Sequence, residues 1–227
     1  MPILMLFGIS LSTLGAISNV LLGVSSFVTA IFTAVVLLQQ YRLQKDTFLK
    51  EKRDKQPVFN ITFCYVDADK DNKYEDVILQ IQNDGHIVKQ INDIKITTIF
   101  DVSERSHHKL FMITGYFFQN THYQNLNGLI YKSRGNNNNA KFMNIYSDVL
   151  SLYRNHRRYV EISIYHLIKI EYTDIYGEKN ICYFKDRSII EEDAYNNIFK
   201  QIYNQQNPLD IDKVTYSDLL TENSSVN

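Results

Sequence analysis

The sequence predicts an N-terminal transmembrane α-helix joined to a mainly-β domain, an antiparallel sandwich or barrel of about seven to nine strands with a C-terminal helix. Three observations carry that expectation. Met1 to Tyr41 contain no Asp, Glu, Lys, Arg or His. Beyond Pro57, apolar residues recur at every second position in several separate runs. Close to the C-terminus the apolar spacing becomes helical, at Ile190, Ala194, Ile198 and Ile202.

The uncharged stretch comes first. Val20 to Leu38 holds twelve Val, Leu, Ile or Phe residues. At roughly −0.3 to −0.6 kcal/mol each they favour the bilayer by about −4 to −7 kcal/mol. Ser25, Ser26, Thr29 and Thr33 offset only part of this. A secretory signal needs a positive n-region and a short apolar core, and no charged side chain precedes this run. A helix over the whole stretch would run about 60 Å, twice the hydrocarbon core of about 30 Å. The span is therefore placed at 16–38. Residues 1–15 then lie at the outer interface, extend the helix, or form the first arm of a hairpin turning near Ser18-Asn19. Gly8, Ser12, Gly15, Asn19, Gly23, Ser26, Ala30 and Thr33 follow at spacings of three and four. Small and polar side chains on one face let helices approach closely in lipid, which predicts a homo-oligomer formed through this helix.

Residues 42–56 predict a basic juxtamembrane helix. Arg42, Lys45, Lys50, Lys52, Arg53 and Lys55 face only Asp46, Glu51 and Asp54, a net charge of +3. Positive flanks stay in the cytoplasm, so the N-terminus is expected outside and the domain inside, in a single-pass arrangement at the inner (plasma) membrane. The lipid bilayer is the first expected partner, with lysines meeting anionic headgroups. The whole chain carries −1, which leaves −4 beyond this segment. General nucleic-acid binding is not expected of such a domain.

The domain is expected over 57–203. Phe59, Ile61, Phe63 and Tyr65 alternate with polar residues, as do Val77, Leu79 and Ile81, then Ile94, Ile96 and Phe100. The longest run is Val160, Ile162, Ile164, Ile168, Ile170 and Tyr172, resumed by Ile181 and Tyr183 after the turn at Asp174–Glu178. Period-two patterns mean strands with one buried face. Apolar runs at Leu110–Phe118, Leu129–Tyr131 and Phe142–Leu152 predict further strands. Residues 133–141 (SRGNNNNAK) read as a polar surface loop. Ser188 and Glu191 form a capping box that opens a closing helix over 188–203. Residues 204–227 are expected to be a disordered, acidic tail. Cys64 and Cys182 fall in strands and are expected to be buried thiols.

The search for chemistry excludes more than it finds. Asp67-Ala-Asp69-Lys-Asp71 opens like a calcium loop, but Asn72 stands where Gly is needed and Ile78 where a bidentate Glu belongs. None of the six histidines has metal-ligand spacing, so no metal and no cofactor are expected. His166 interrupts an inward face and reads as a hydrogen-bonded core histidine or a strand bend rather than a catalytic group. No phosphate loop, dinucleotide fingerprint or nucleophile elbow occurs. The one constellation with ligand potential is Tyr153, Arg154, His156, Arg157 and Arg158, joined by Lys132 and Arg134. Guanidiniums beside phenols suit a phosphate and a stacked ring. No catalytic set can be assembled, and the chain is expected not to be an enzyme.

Gln56-Pro57, Leu79 to Gly85 and Ile170 to Gly177 resemble segments of a loosely defined group of bacterial proteins with one N-terminal span and a small cytoplasmic β-domain. Some proteins of that class look like anti-phage effectors. The expectation is thus a membrane-tethered binding module for an unknown protein or small-molecule ligand. The alternative is an effector that senses a nucleotide-like signal and drives the membrane helices to cluster.

Overall fold

A computed structural model describes residues 11–66, 74–104, 107–135, 137–156, 160–203 and 208–220. They fall into two compact units that divide between Lys55 and Gln56.

The first unit is α1 (Leu11–Asp54), a single helix of 44 residues. It is long and apolar enough to cross a membrane, and its most apolar stretch is 0 % buried. The helix passes unbroken through Ser18 and Asn19, which removes the hairpin arrangement. No Pro interrupts that region, so nothing stops the backbone ladder. Thr29 Oγ1 donates to the Ser25 carbonyl and Thr33 Oγ1 to the Thr29 carbonyl, each at 2.8 Å. Their hydroxyls are thus satisfied inside the helix, as an apolar solvent requires. The basic stretch continues the same helix, and Pro57 disfavours helical geometry at Gln56, which ends it.

The second unit runs β1 (Phe59–Val66), β2 (Asp76–Asn83), β3 (Gln90–Glu104), β4 (His107–Thr114), β5 (Thr121–His122), β6 (Gly128–Arg134), α2 (Asn138–His156), β7 (Val160–Thr173), β8 (Lys179–Lys185), β9 (Ser188–Ile190), α3 (Glu192–Tyr203), β10 (Leu209–Asp210) and α4 (Tyr216–Leu220). The ten strands form two sheets, ordered β1-β2-β6-β5 and β10-β4-β3-β7-β8-β9. All neighbours are antiparallel except β10 beside β4. The expected mainly-β domain and terminal helix are present. Three of the strands have only two or three residues, too short for a periodic signal.

One core joins the two sheets, with Ile61, Leu79, Ile81, Phe100, Ile168 and Ile170 at 0–2 % exposure. A second cluster unites Ile99, Tyr165 and Leu167 with Tyr195 and Ile202 of α3. The middle of β7 is therefore buried on both faces, which is why its alternation breaks at Tyr165-His166-Leu167-Ile168.

Several expectations differ from the structure. Phe142–Leu152 belongs to α2, because Phe142, Ile145, Tyr146 and Val149 repeat at helical spacing and bury against the main core. Residues 133–141 are no surface loop: Ser133, Asn138 and Asn139 are buried. Asn138 Nδ2 donates to the carbonyls of Gly115 (2.9 Å) and Tyr116 (2.8 Å), and Asn139 Nδ2 to that of Tyr74. The Asn-rich run is a set of backbone clamps at the start of a helix. Ser188 to Ile190 form β9 rather than a capping box, and α3 starts at Glu192 with Glu192 and Asp193 favouring its positive N-terminus. Its buried stripe is Tyr195, Ile198, Phe199 and Ile202, while Ala194 is exposed.

A further correction concerns the acidic tail. Residues 208–220 are part of the domain, with Ile211 at 3 % and Leu219 at 0 % exposure. Ile211 N donates to the Thr114 carbonyl at 3.1 Å, and at the start of α4 the Asp218 carboxylate accepts from both the N–H and the hydroxyl of Thr215. Leu209, Ile211, Val214 and Leu219 supply enough apolar surface to hold a segment whose other residues are polar. Residues 204–207 and 221–227 lie outside the described residues, as does the Asp67–Asp71 loop. Both cysteines are free thiols, but Cys64 is exposed rather than buried as expected, because it takes the outward face of β1 next to buried Phe63, and Cys182 is half-buried.

Candidate functional site

The site is built from a two-residue turn. Lys185 pairs with Ser188 across the β8–β9 hairpin, leaving Asp186 and Arg187 at its tip. Asp186 adopts φ 52°, a left-handed conformation that Asp tolerates better than most residues. Two bonds strap the tip to β7. Asp186 N donates to the His166 carbonyl, and His166 N donates to Asp186 Oδ1, both at 2.8 Å. A third reaches the other sheet, where Arg187 Nη2 donates to the Phe63 carbonyl of β1 at 3.3 Å. Between these anchors lies a cleft of about 480 Å³, lined by apolar Phe63, Ile164 and Ile190 and by Tyr65, His166, Asp186 and Arg187.

His166 is the buried polar residue of this wall, at 5 % exposure. Its ring stacks on Phe63 (centroids 5.0 Å, planes 25° apart) and meets Tyr116 at 5.3 Å and Phe117 at 5.0 Å. Burial among these rings lowers its pKa to about 3, so the imidazole is neutral near pH 7. Nδ1 shares a proton with Thr98 Oγ1 at 3.1 Å. Nε2 has no hydrogen-bond partner among the described residues. The hydroxyl of Tyr116, a residue 2 % exposed, has none either, and burial pushes that phenol upward. Buried polar atoms are nearly always paired, so two orphans in touching rings need an explanation.

The hairpin side of the cleft is charged. Burial raises the Asp186 carboxyl, against the His166 N–H, Lys185 and Arg187, which lower it. Lys185 Nζ lies 4.0 Å over the Tyr165 ring. The Tyr65 phenol is pushed upward by partial burial and by Asp186.

The chain matches no family model, no curated protein and no solved structure. Its function has to be argued from its own residues.

The sequence-predicted ligand set is not assembled as expected. Lys132 and Arg134 lie on β6, where the Arg134 Nε donates to the buried Asp76 carboxylate. That guanidinium holds the β2–β6 end together. Tyr153, Arg154 and His156 are in the last turn of α2, about 25 Å further along at 1.5 Å per residue. Insertion of a helix where a loop and strand were expected separates the two groups. The side chains of Tyr153, Arg154 and His156, and all of Arg157 and Arg158, lie outside the described residues. Within α1, Gly15, Asn19, Gly23, Ser26, Ala30 and Thr33 fall in an arc of about 80° at 100° per residue. Gly8 and the Ser12 side chain lie outside the described residues. A shallow groove between residues 25 and 37 takes in Ser26, Ala30 and Thr33 of that arc, with Ser25, Thr29, Ala34 and Leu37 beside them.

Among the described residues no group of three or more His, Cys, Asp and Glu side chains comes together. The Thr98–His166 pair has the parts of a nucleophile and base, but an imidazole with a pKa of about 3 is a poor base near neutrality. Sequence reasoning singled out His166 only as core or a strand bend. The signal for the rest was the charged triplet Lys185-Asp186-Arg187 between two apolar runs, which marks a tight turn.

Proposed function

We propose that this protein is a membrane-tethered, non-enzymatic binding module, anchored by α1 and binding a small molecule or protein through its β-domain. The carrying observation is a ligand-sized cleft whose wall holds a buried imidazole nitrogen with no hydrogen-bond partner among the described residues, in a chain that also carries a membrane-length unburied helix. The basic collar from Arg42 to Lys55 supports an N-terminus outside and a domain at the cytoplasmic face of a bacterial inner membrane. Nothing in the −4 balance beyond that collar favours nucleic acid. Protease added to intact cells should leave the β-domain uncut, and should digest it once the inner membrane is permeabilised. Digestion in intact cells overturns the orientation.

A second reading is favoured by the groove along α1: an anti-phage-type effector in which a nucleotide-like signal at the domain drives the helices to cluster and breach the membrane. A Cβ at Gly15 or Gly23 meets nothing within 4 Å in one copy. A defect from Gly15→Leu with Gly23→Leu therefore reports contacts between copies. Under this reading the wild-type chain with its inducer depolarises cells and the double variant does not. Intact membrane potential in both leaves the tethered module alone.

A further inference from the structure

We propose that the cleft between β1 and the β8–β9 hairpin binds a small anion carrying an apolar, ring-sized body. The proposal rests on the binding-module reading and names the chemistry of its ligand. Three parts of the cleft each ask for one part of such a molecule. At the buried wall, His166 Nε2 lacks a hydrogen-bond partner among the described residues. A polar atom on the ligand would satisfy the imidazole, which serves as donor or acceptor according to the tautomer that Thr98 selects. Phe63, Tyr65, Ile164 and Ile190 form apolar and aromatic walls. A volume of about 480 Å³ holds a substituted ring but no large cofactor.

The charge is read from the hairpin. Lys185 and Arg187 flank a single carboxyl, Asp186, whose Oδ1 already accepts the His166 N–H. The local balance is therefore +1. Among the described residues no carboxylate lies within ion-pair distance of the Arg187 guanidinium, whose described bond goes to one main-chain carbonyl. Guanidinium groups in this state suit planar or tetrahedral oxyanions, which accept two parallel N–H bonds. A cationic ligand would meet Lys185 and Arg187 with only one carboxyl to offset them.

The test uses the full chain in lipid nanodiscs, labelled with ¹⁵N-histidine, with phenyl phosphate, phenol and inorganic phosphate as probes. Calorimetry gives affinity, and the ring nitrogens of His166, assigned with His166→Gln, report whether the cleft is occupied. Phenyl phosphate is expected to bind saturably, about tenfold or more tighter than phenol or phosphate, and to shift the His166 signals. Arg187→Gln, at an exposed turn position, should remove that advantage and leave the spectrum of the other histidines unchanged. Equal affinities for phenol and phenyl phosphate, or full affinity in Arg187→Gln, overturn the anion assignment and keep a binding cleft. Binding of none of the three, with His166 unmoved, overturns the cleft as a site and the binding-module reading with it.

Discussion

A neutral imidazole enclosed by Phe63, Tyr116 and Phe117 ties the stability of the domain to pH. Its folded pKa is about 3 against 6.5 for the free side chain, because burial disfavours the cation. Between those values the unfolded chain binds the extra proton, so this group's contribution is complete above pH 6.5 and is lost as pH falls. The slope approaches about 1.4 kcal/mol per pH unit. Asp186, whose carboxyl burial raises, acts in the opposite sense, so a variant lacking His166 is needed to assign the dependence. Denaturant unfolding of the wild-type chain should therefore weaken from pH 7 to pH 5. His166→Phe combined with Thr98→Val, which removes both partners of the hydrogen bond, should flatten that dependence. An unchanged slope in the double variant would place the titrating group elsewhere.

Elements differ in how plainly the sequence announced them. β1, β2 and the first part of β3 bury one face each, so alternation was enough to place them. β7 could be placed by its length, but its two buried faces hid the contact with α3. α2 was legible in principle, since Phe142, Ile145, Tyr146 and Val149 keep helical spacing; the Asn-rich run before it masked the helix start. There composition pointed to solvent, whereas Asn138 and Asn139 use their amides to bind carbonyls in the interior. Asn138→Ala would leave the Gly115 and Tyr116 carbonyls without their donor and should cost about 1–3 kcal/mol. A loss below about 0.5 kcal/mol in urea unfolding would show that the clamp is replaced by water. The cleft was the least legible part, because it depends on a turn from one sheet reaching the edge of the other, a pairing that no local pattern encodes. α4 makes a similar point at the C-terminus. Leu219 is fully buried, so Leu219→Ala should cost about 2–4 kcal/mol, read as a lowered unfolding midpoint, where a disordered tail would show no change.

At the scale of the whole molecule, two kinds of surface share one chain. Between residues 14 and 38 large apolar side chains face outward, with Val20, Leu21, Leu22, Phe27 and Phe32 each more than 60 % exposed. A soluble protein would bury so much contiguous apolar surface, and lipid is the solvent that accepts it. The unit from Gln56 onward has its own core. Six basic residues at the end of α1 mark the junction between them. This division was the clearest message of the sequence, since it needs only the count and position of charges. Extraction of isolated membranes with alkaline carbonate followed by ultracentrifugation tests it most directly. The untagged chain should remain in the pellet with the lipid; its release into the supernatant would contradict the tether on which the proposed role depends.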